Sequence, residues 1–568
     1  MNREPPPTPP DRLTLSSRPF IDPGAAREQA ACAPVPVQVE APQLVMPEEL
    51  PDSEEPGVPL ESQPDFEPAG RMDFWWRFIG MLLLAGLPLF SNLQDTPFMS
   101  EAESRTVDAS QAAADRQREF GSEAVSMERL TPLKDGKPDY QTPPGITWAH
   151  LTAGATLDPA HASTTDLRFR ARLVSACMGL LTVAAVFWCG FSIGGLSTGT
   201  LAGVIFAAMP LTAFYFRQAR PEGLQMGCSM LAVAAALWAM RPLRDLPGIA
   251  RQITGWLLCG LALGAAILVG GPMALPPALI PLLVIVFVCP HRVGHGLGVL
   301  AAVLAAALTV TPWAIFVHLH DASAASNWLA QLAPRLPPGG WVDFFHEGLW
   351  RLAIMGAAFA VWATWLPGAL LQPFSTSSRG VRQRMLIGWS WFVAVCVLLV
   401  LAPTANSDPA TLLTAIPPGA ILLGQLLRRM TDLASVGHYA KFWIGTRWVM
   451  ILLTLALSVA LPTVLLVLRR HPEWAPNPDI GRALHAVSLS TTLSVGVILL
   501  LIAVAGALFA AIHSPPVAVA CWAAWCVAAM TLGTSILART QPVRANAPHE
   551  PAASLSHLAP TPCPCSCA

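Results

Sequence analysis

The chain has 568 residues, of which 53% are hydrophobic and 12% are charged, and its formal net charge is -1. Soluble globular domains carry about 25% charged residues, so this composition excludes an ordinary soluble protein. The near-neutral charge gives no indication of a nucleic-acid partner. Apolar runs long enough to cross a bilayer recur along the chain. We therefore predict an all-α, polytopic membrane protein with about 11–13 transmembrane helices.

The two ends of the chain differ from the rest in composition. Residues 1–70 are rich in proline and acidic residues, which predicts a disordered cytoplasmic tail. We also expect residues 538–568 to form a disordered tail, although their CPCSCA sequence leaves a metal or lipidation site open. Transmembrane segments are predicted at 74–90, 172–192, 196–216, 223–240, 253–268, 272–289, 296–317, 351–371, 386–402, 411–427, 447–467, 488–511 and 516–537.

Lysine and arginine in the short loops predict the orientation of these segments. Basic residues mark cytoplasmic loops, and their distribution puts the N-terminus inside. The polar loops at 91–167, 217–222, 318–350 and 403–410 then share the outer side. We expect a core at 71–430 that includes the outer loop 91–167, followed by additional membrane helices at 431–537.

The outer loop 91–167 contains the sequence SEAESR, which predicts the start of a helix. Ser100 and Glu103 have the spacing of a capping box, in which the serine accepts an N–H and the glutamate reaches back to the backbone. Glu101 is not needed by this cap. It is either a solvated residue of the first turn or a carboxylate placed to take a proton or hold a cation.

A second polar segment, YFRQARPE, joins two predicted transmembrane helices. Pro221 suits the first turn of the second helix, where its missing N–H costs nothing. Arg217 and Arg220 would hold a phosphate by forked hydrogen bonds or anchor the chain at the lipid headgroups. Glu222 follows them directly.

The outer loop 318–350 is amphipathic and rich in aromatic residues, which predicts a helix at the membrane interface. It carries His318, His320, Asp321, His346 and Glu347, which are either metal ligands or solvated side chains. Compact ligand spacing is lacking, which favours the solvated alternative.

Six segments, taken in order, resemble membrane glycosyltransferases of the GT-C superfamily. The resemblance is to the branch of the protein O-mannosyltransferases and the lipid A aminoarabinose transferase, which is glycosyltransferase family 39-like. The matching segments are SEAESR (100–105), GKPDYQTPPGITW (136–148), RFRARLVSACMGLLTVAAVFW (168–188), YFRQARPE (215–222), LALGAAILVGGPMAL (261–275) and LLTAIPPGAILL (412–423).

The resemblance implies transfer of a sugar from a polyprenyl-phosphate carrier to a lipid, glycan or protein acceptor outside the cytoplasm. It implies a bacterial inner-membrane protein and leaves a divalent cation open as a cofactor. Glu101 and Glu222 match acidic positions of the family and would be catalytic. Arg217 and Arg220 would bind the donor phosphate.

Three positions depart from the family pattern. Ser100 replaces the family's Asp, and Thr142 and Gly270 replace two lysines. A hydroxyl of ordinary pKa is not a general base at neutral pH, and neither threonine nor glycine carries a cation for a phosphate. Two other hypotheses are therefore kept. One is a catalytically degenerate GT-C-fold protein that binds lipid-linked sugar without transfer, and the other is a polytopic transporter.

Overall fold

The computed structural model describes residues 71–538 apart from thirteen short segments. These segments are 96–99, 120–130, 135–136, 155–163, 241–247, 289–291, 331–339, 376–378, 402–408, 436–439, 472–473, 475–487 and 513–514. The predicted tails at 1–70 and 538–568 lie outside the described residues, except for Ala538.

The described chain is almost entirely helical, which confirms the all-α fold class. Its α-helices, in chain order, are α1 (Arg71–Phe90), α2 (Glu101–Glu119), α3 (Gly145–Gly154), α4 (Thr164–Gly194), α5 (Leu196–Ala207), α6 (Pro210–Phe216), α7 (Pro221–Met240), α8 (Ile249–Gly270), α9 (Leu275–Val288), α10 (Arg292–His320), α11 (Ala322–Ala330), α12 (Gly340–Ala358), α13 (Leu366–Leu371), α14 (Arg379–Leu401), α15 (Ile416–Ser435), α16 (Ala440–Arg470), α17 (Leu489–Ile512) and α18 (Pro515–Ala538).

Short elements interrupt these helices. The 3-10 helices are Gly271–Ala274, Ala360–Trp365, Gln372–Ser375 and Pro409–Ala415. In the outer loop, β1 (Leu133–Lys134) and β2 (Lys137–Pro138) pair in antiparallel register, with Leu133 opposite Pro138.

Among the described residues, nine helical stretches are long and apolar enough to cross a membrane, or ten if the bent pair α5 and α6 forms one span. The chain is thus a multi-pass membrane protein. The sequence predicted about 11–13 spans. The lower number arises partly because α8 and α9 count together as one 40-residue stretch. In addition, 3-10 turns divide the predicted segments at 351–371 and 411–427.

Side-chain contacts show which helix ends lie together. Arg172, near the start of α4, reaches the carbonyl of Leu93, and Arg217, just after α6, reaches the carbonyl of Pro88. The end of α18 also contacts the residues that follow α1. We call this end of the bundle the site end. It carries the described parts of the loops that were expected to share one side.

The opposite end of the bundle carries the basic residues that were expected to be cytoplasmic. Arg428 at the end of α15 donates to the carbonyl of Gly194, and Arg77 donates to Ser197. Arg251 donates to the carbonyl of Trp238. These contacts place the ends of α4, α7 and α15 and the start of α1 away from the site end. Which of the two ends faces the cytoplasm remains a prediction.

Glycines allow close packing in the middle of the bundle. A Cβ added to Gly199 on α5 would lie 2.7 Å from the carbonyl oxygen of Phe187 on α4. A Cβ added to Gly424 on α15 would lie 3.0 Å from the backbone nitrogen of Ala202. Small residues at helix contacts are the usual way in which membrane helices approach closely. These glycines let α4, α5 and α15 pack closely against one another.

Candidate active site

Ser100 connects the start of α2 to the turn between α6 and α7. Its Oγ accepts the N–H of Glu103 at 3.2 Å, which makes it the N-cap that the sequence predicted. The same hydroxyl donates to Oε1 of Gln218 at 3.0 Å. Gln218 is fully buried and its amide nitrogen donates to the carbonyl of Phe214. The cap is thereby also a tertiary contact.

Glu103 lies at the centre of a buried ion pair. Its side chain is 0% exposed, and Oε1 accepts from Arg172 Nε at 2.7 Å. The same oxygen accepts the backbone N–H of Ala219 at 3.2 Å. The predicted capping box assigned this carboxylate to the backbone of Ser100. In the structure its Oε1 instead accepts hydrogen bonds from α4 and from the turn 217–220, so the carboxylate makes tertiary contacts.

Glu101 lies on the solvent side of α2. Its side chain is 77% exposed and pairs with Arg105 one helical turn away, with Nη2 and Oε1 2.5 Å apart. Successive residues of an α-helix differ by about 100° in direction, so Glu101 and Glu103 point to nearly opposite sides. The structure does not bring Glu101 into the contacts that join α2 to the bundle. Its catalytic role remains a prediction.

Arg217 holds the end of α1. Its side chain is buried, and Nη1 donates to the carbonyls of Pro88 and Leu89 and to the Ser91 hydroxyl. A cation at a helix C-terminus is stabilised by the partial negative charge of the last carbonyls. Burial is the main cause that lowers the pKa of Arg217 to about 10, and the charge of Arg172 lowers it further. Arg217 therefore stays protonated at neutral pH.

Arg220 and Glu222 form a forked ion pair at the start of α7. Nε of Arg220 lies 3.0 Å from Oε2 of Glu222, and Nη2 lies 2.7 Å from Oε1. The guanidinium also lies over the ring of Tyr215, with Cζ 5.3 Å from the centroid. Pro221, at the start of α7, separates the two residues. The Glu222 side chain remains 25% exposed, so it is the more accessible member of the pair.

Gly270 lies at the end of α8, against Gln225 of α7. A Cβ built on it would be 2.0 Å from Oε1 of Gln225, so the glutamine side chain covers this glycine. Gln225 is three residues beyond Glu222 on α7 and shares its helix face. The next residue, Gly271, has φ 68°, a conformation that favours glycine.

Thr142 belongs to a local turn. Its hydroxyl donates to Oδ2 of Asp139 at 2.6 Å, and its N–H donates to Oδ1 at 3.3 Å. Nearby, the Trp328 indole donates to the carbonyl of Gln141. The start of α3 is held against α8, because a Cβ on Gly145 would lie 2.7 Å from the Leu268 carbonyl oxygen. The threonine thus stabilises the turn that precedes α3.

Four of the predicted site residues meet at the turn 217–222, whereas Glu101 and Thr142 lie elsewhere. Ser100 reaches it through Gln218, and it contains Arg217, Arg220 and Glu222. Sequence reasoning assigned no role to Arg172, Gln218 and the backbone of Ala219. A signal for Arg172 was present, since a charged residue inside an apolar span is costly unless it has a partner.

In the part of the chain that the structure describes, no three His, Cys, Asp or Glu side chains form a group that could hold a metal ion. The side chain of Glu347 lies outside the described set. In the same loop, the hydroxyl and the N–H of Ser323 donate to Asp321, and the His320 ring stacks on Tyr140.

No protein-family model and no curated protein sequence matches the chain. Solved structures do match. The ArnT from Cupriavidus metallidurans bound to undecaprenyl phosphate aligns with TM-score 0.61 and 16% identity, over 83% of this chain and 78% of that one. The same protein in the apo state aligns with TM-score 0.60 and 17% identity, over 83% and 77% of the two chains.

A more distant match is the Archaeoglobus fulgidus oligosaccharyltransferase tethered to an acceptor peptide, with TM-score 0.46 and 13% identity over 66% of this chain and 51% of that one. The ArnT likeness, together with the membrane helices, shows that the chain is a multi-pass membrane protein with the GT-C fold. The fold expected from the sequence is confirmed.

Proposed function

We propose that the protein is a glycosyltransferase that moves a sugar from a polyprenyl-phosphate carrier to a lipid, glycan or protein acceptor. We place it in a bacterial inner membrane, with the site end of the bundle on the outer face. The carrier class is suggested by the similar ArnT structure, whose bound ligand is undecaprenyl phosphate. Residues 71–430 would form the catalytic core, and 431–537 would be additional helices.

The observation that carries this proposal is the Arg220–Glu222 pair at the site end of a GT-C fold, in the turn that Ser100 contacts through Gln218. Glu222 is a carboxylate with partial solvent access and a fixed position. Arg220 supplies a planar cation next to it. Its fork is bonded to Glu222 in the structure, so a bound phosphate would replace the carboxylate as the partner of Arg220. A base and a phosphate-binding cation are the two groups that the reaction needs.

In the proposed reaction, a carboxylate takes the proton of the acceptor hydroxyl while its oxygen attacks the anomeric carbon. The bond from that carbon to the phosphate oxygen breaks, and polyprenyl phosphate leaves with the bonding electrons. The configuration of the anomeric carbon inverts. We assign the base to Glu222 and the leaving phosphate to Arg220. Glu101 remains a predicted second catalytic carboxylate, and Arg217 remains a predicted second ligand of the donor phosphate.

A second candidate function rests on Ser100. Ser100 stands where the family has Asp. Its hydroxyl donates to Gln218, and its oxygen accepts the N–H that caps α2. It therefore has a structural task in place of an acid–base one. A protein that binds the polyprenyl-phosphate sugar without transferring it would have this feature.

The test uses the full chain in liposomes with a labelled undecaprenyl-phosphate sugar and membrane glycolipid acceptors. Transfer by the native chain that is lost in Glu222→Gln supports the proposal. Saturable binding of undecaprenyl phosphate without transfer supports the second candidate. Flux of solute without either would indicate the transporter considered from the sequence. Asp108→Asn, on the exposed face of α2, is the matched control.

A further inference from the structure

The last turn of α18 is hydrogen-bonded to the first residues of the outer loop. The hydroxyls of Ser91 and Thr534 lie 3.1 Å apart, and the Asn92 amide nitrogen donates to the Ser535 hydroxyl at 2.8 Å. These pairs are 443 residues apart in the sequence. We call residues 91–93 the loop root, because the chain leaves α1 there and continues towards α2.

The loop root has a conformation that depends on its residue types. Asn92 has φ 49°, in the left-handed region that asparagine tolerates better than most residues. This residue lies in the turn that follows the end of α1 at Phe90. The hydrogen bond from its amide to Ser535 therefore acts at the point that sets the direction of the loop.

The loop root is also held by two buried arginines, Arg217 and Arg172. Arg217 Nη1 donates to the Ser91 hydroxyl at 3.3 Å, and Arg172 Nη1 donates to the Leu93 carbonyl at 3.2 Å. Arg172 in turn pairs with Glu103, which accepts the N–H of Ala219. A continuous series of contacts thus runs from α18 through the loop root to the start of α2 and the turn 217–220.

We infer that Thr534 and Ser535 are positioning residues for the candidate site. They hold the loop root so that α2 and the turn 217–222 keep their relative placement. α18 lies in the C-terminal helices, beyond the segments 100–423 that carry the sequence resemblance. The additional helices would then serve the site as well as complete the bundle. The link to catalysis rests on the proposed glycosyltransferase function.

The test compares the double variant Thr534→Val and Ser535→Ala with the native full chain in liposomes. Amide hydrogen exchange at 91–95 and 101–116 should rise by about tenfold, since two hydrogen bonds that order this segment are lost. Exchange in α7 and α8 should stay unchanged. In the transfer assay, kcat should fall while KM for the donor stays the same.

Three further variants make the result specific. Thr531→Val is the matched control, because the Thr531 hydroxyl bonds the Val527 carbonyl of its own helix. Thr534→Ser with Ser535→Thr keeps both hydroxyls and should restore native exchange. Asn92→Gly keeps the left-handed conformation but loses the amide, so it should reproduce the local rise.

The two proposals can fail separately. Unchanged exchange at 91–95 and 101–116 in the double variant overturns the positioning role, and so does an equal rise throughout the bundle, which would mark general destabilisation. A local rise supports it even if the native chain transfers no sugar, in which case the glycosyltransferase proposal is what fails. A local rise with unchanged kcat in an active enzyme overturns the link to catalysis.

Discussion

Arg172 and Glu103 form an ion pair in which the two side chains are 1% and 0% exposed, with Nε and Oε1 2.7 Å apart. One residue belongs to the outer-loop helix α2 and the other to the membrane helix α4. The carboxylate also accepts the N–H of Ala219, so three segments meet at one oxygen. This contact is the strongest candidate for what fixes α2 on the bundle.

Glu103→Gln should therefore destabilise the protein strongly. The substitution keeps the shape of the side chain but removes the charge that compensates a buried guanidinium. Loss of one partner of a buried ion pair costs about 3–5 kcal/mol. The measurement is the unfolding midpoint of the purified protein in detergent, followed by tryptophan fluorescence. Glu101→Gln is the control, because exposed pairs contribute at most about 1 kcal/mol. Equal effects of the two substitutions would contradict the assignment.

Arg220→Lys should lower both the transfer rate and the stability of the protein, because Arg220 is buried and bonded twice to Glu222. Lysine keeps the charge but loses the planar fork that gives Glu222 two hydrogen bonds, and it loses the stacking on Tyr215. A hydrogen bond to a charged group contributes about 1.5–3 kcal/mol, so the loss of one such bond in the transition state would lower the transfer rate by about 10- to 100-fold.

Initial rates with a labelled polyprenyl-phosphate sugar measure this loss. Arg105→Lys provides the comparison, because Arg105 makes an exposed ion pair with Glu101. The prediction is wrong if the two lysine variants are equally active.

Substitutions of Gly270 and Gln225 should have coupled effects on the stability of the protein. A Cβ at position 270 would lie 2.0 Å from Oε1 and 2.3 Å from Cδ of Gln225, so Gly270→Ala must displace the glutamine side chain. Gln225→Ala removes the obstacle. We expect the double variant to lose about 1 kcal/mol less free energy of unfolding than the two single variants lose together.

Unfolding midpoints of the native protein, the two single variants and the double variant complete this double-mutant cycle.

By the same argument, the Gly270→Lys variant introduces the lysine found in the family that the sequence resembles. It should bind undecaprenyl phosphate more tightly when Gln225→Ala is also present than without it. Additive effects would show that the glutamine does not occupy this space.

His150 should make stability depend on pH. Ser110 donates its hydroxyl hydrogen to the Thr106 carbonyl and lies 2.9 Å from Nδ1 of His150. The imidazole is then best accommodated as the neutral Nδ1–H form. Burial lowers its pKa from 6.5 to about 4. The unfolded chain binds this proton below about pH 6.5, and the folded protein does so only below about 4.

Stability is therefore unaffected by His150 above pH 6.5 and falls as the pH decreases from 6.5 to 4, by about 3 kcal/mol. His150→Asn keeps a donor for Ser110 but does not titrate. Unfolding midpoints between pH 7 and pH 4 should fall more steeply for the native protein than for this variant. If the unfolding midpoints of the two proteins fall equally with pH, the buried neutral histidine does not cause the loss of stability.

Residues close together in the sequence determine the membrane helices, the cap of α2 and the Arg220–Glu222 pair. The length and apolarity of each segment are enough to predict a membrane helix, because an unsatisfied backbone inside lipid is too costly. Ser100 is an N-cap because a serine before an α-helix accepts an N–H of the first turn. Arg220 and Glu222 meet because they flank the proline that begins α7. Each of these features depends on residues close in sequence.

Tertiary structure decided which carboxylate of the SEAESR segment is buried. Glu101 and Glu103 are two residues apart and lie on opposite sides of α2, so the sequence allows either to face the bundle. The choice depends on Arg172, 69 residues further along the chain, and on a backbone N–H that is 116 residues away. Arg217 similarly holds the end of a helix 128 residues earlier. Contacts of this kind form only when packing brings distant helix ends together, and no local pattern specifies them.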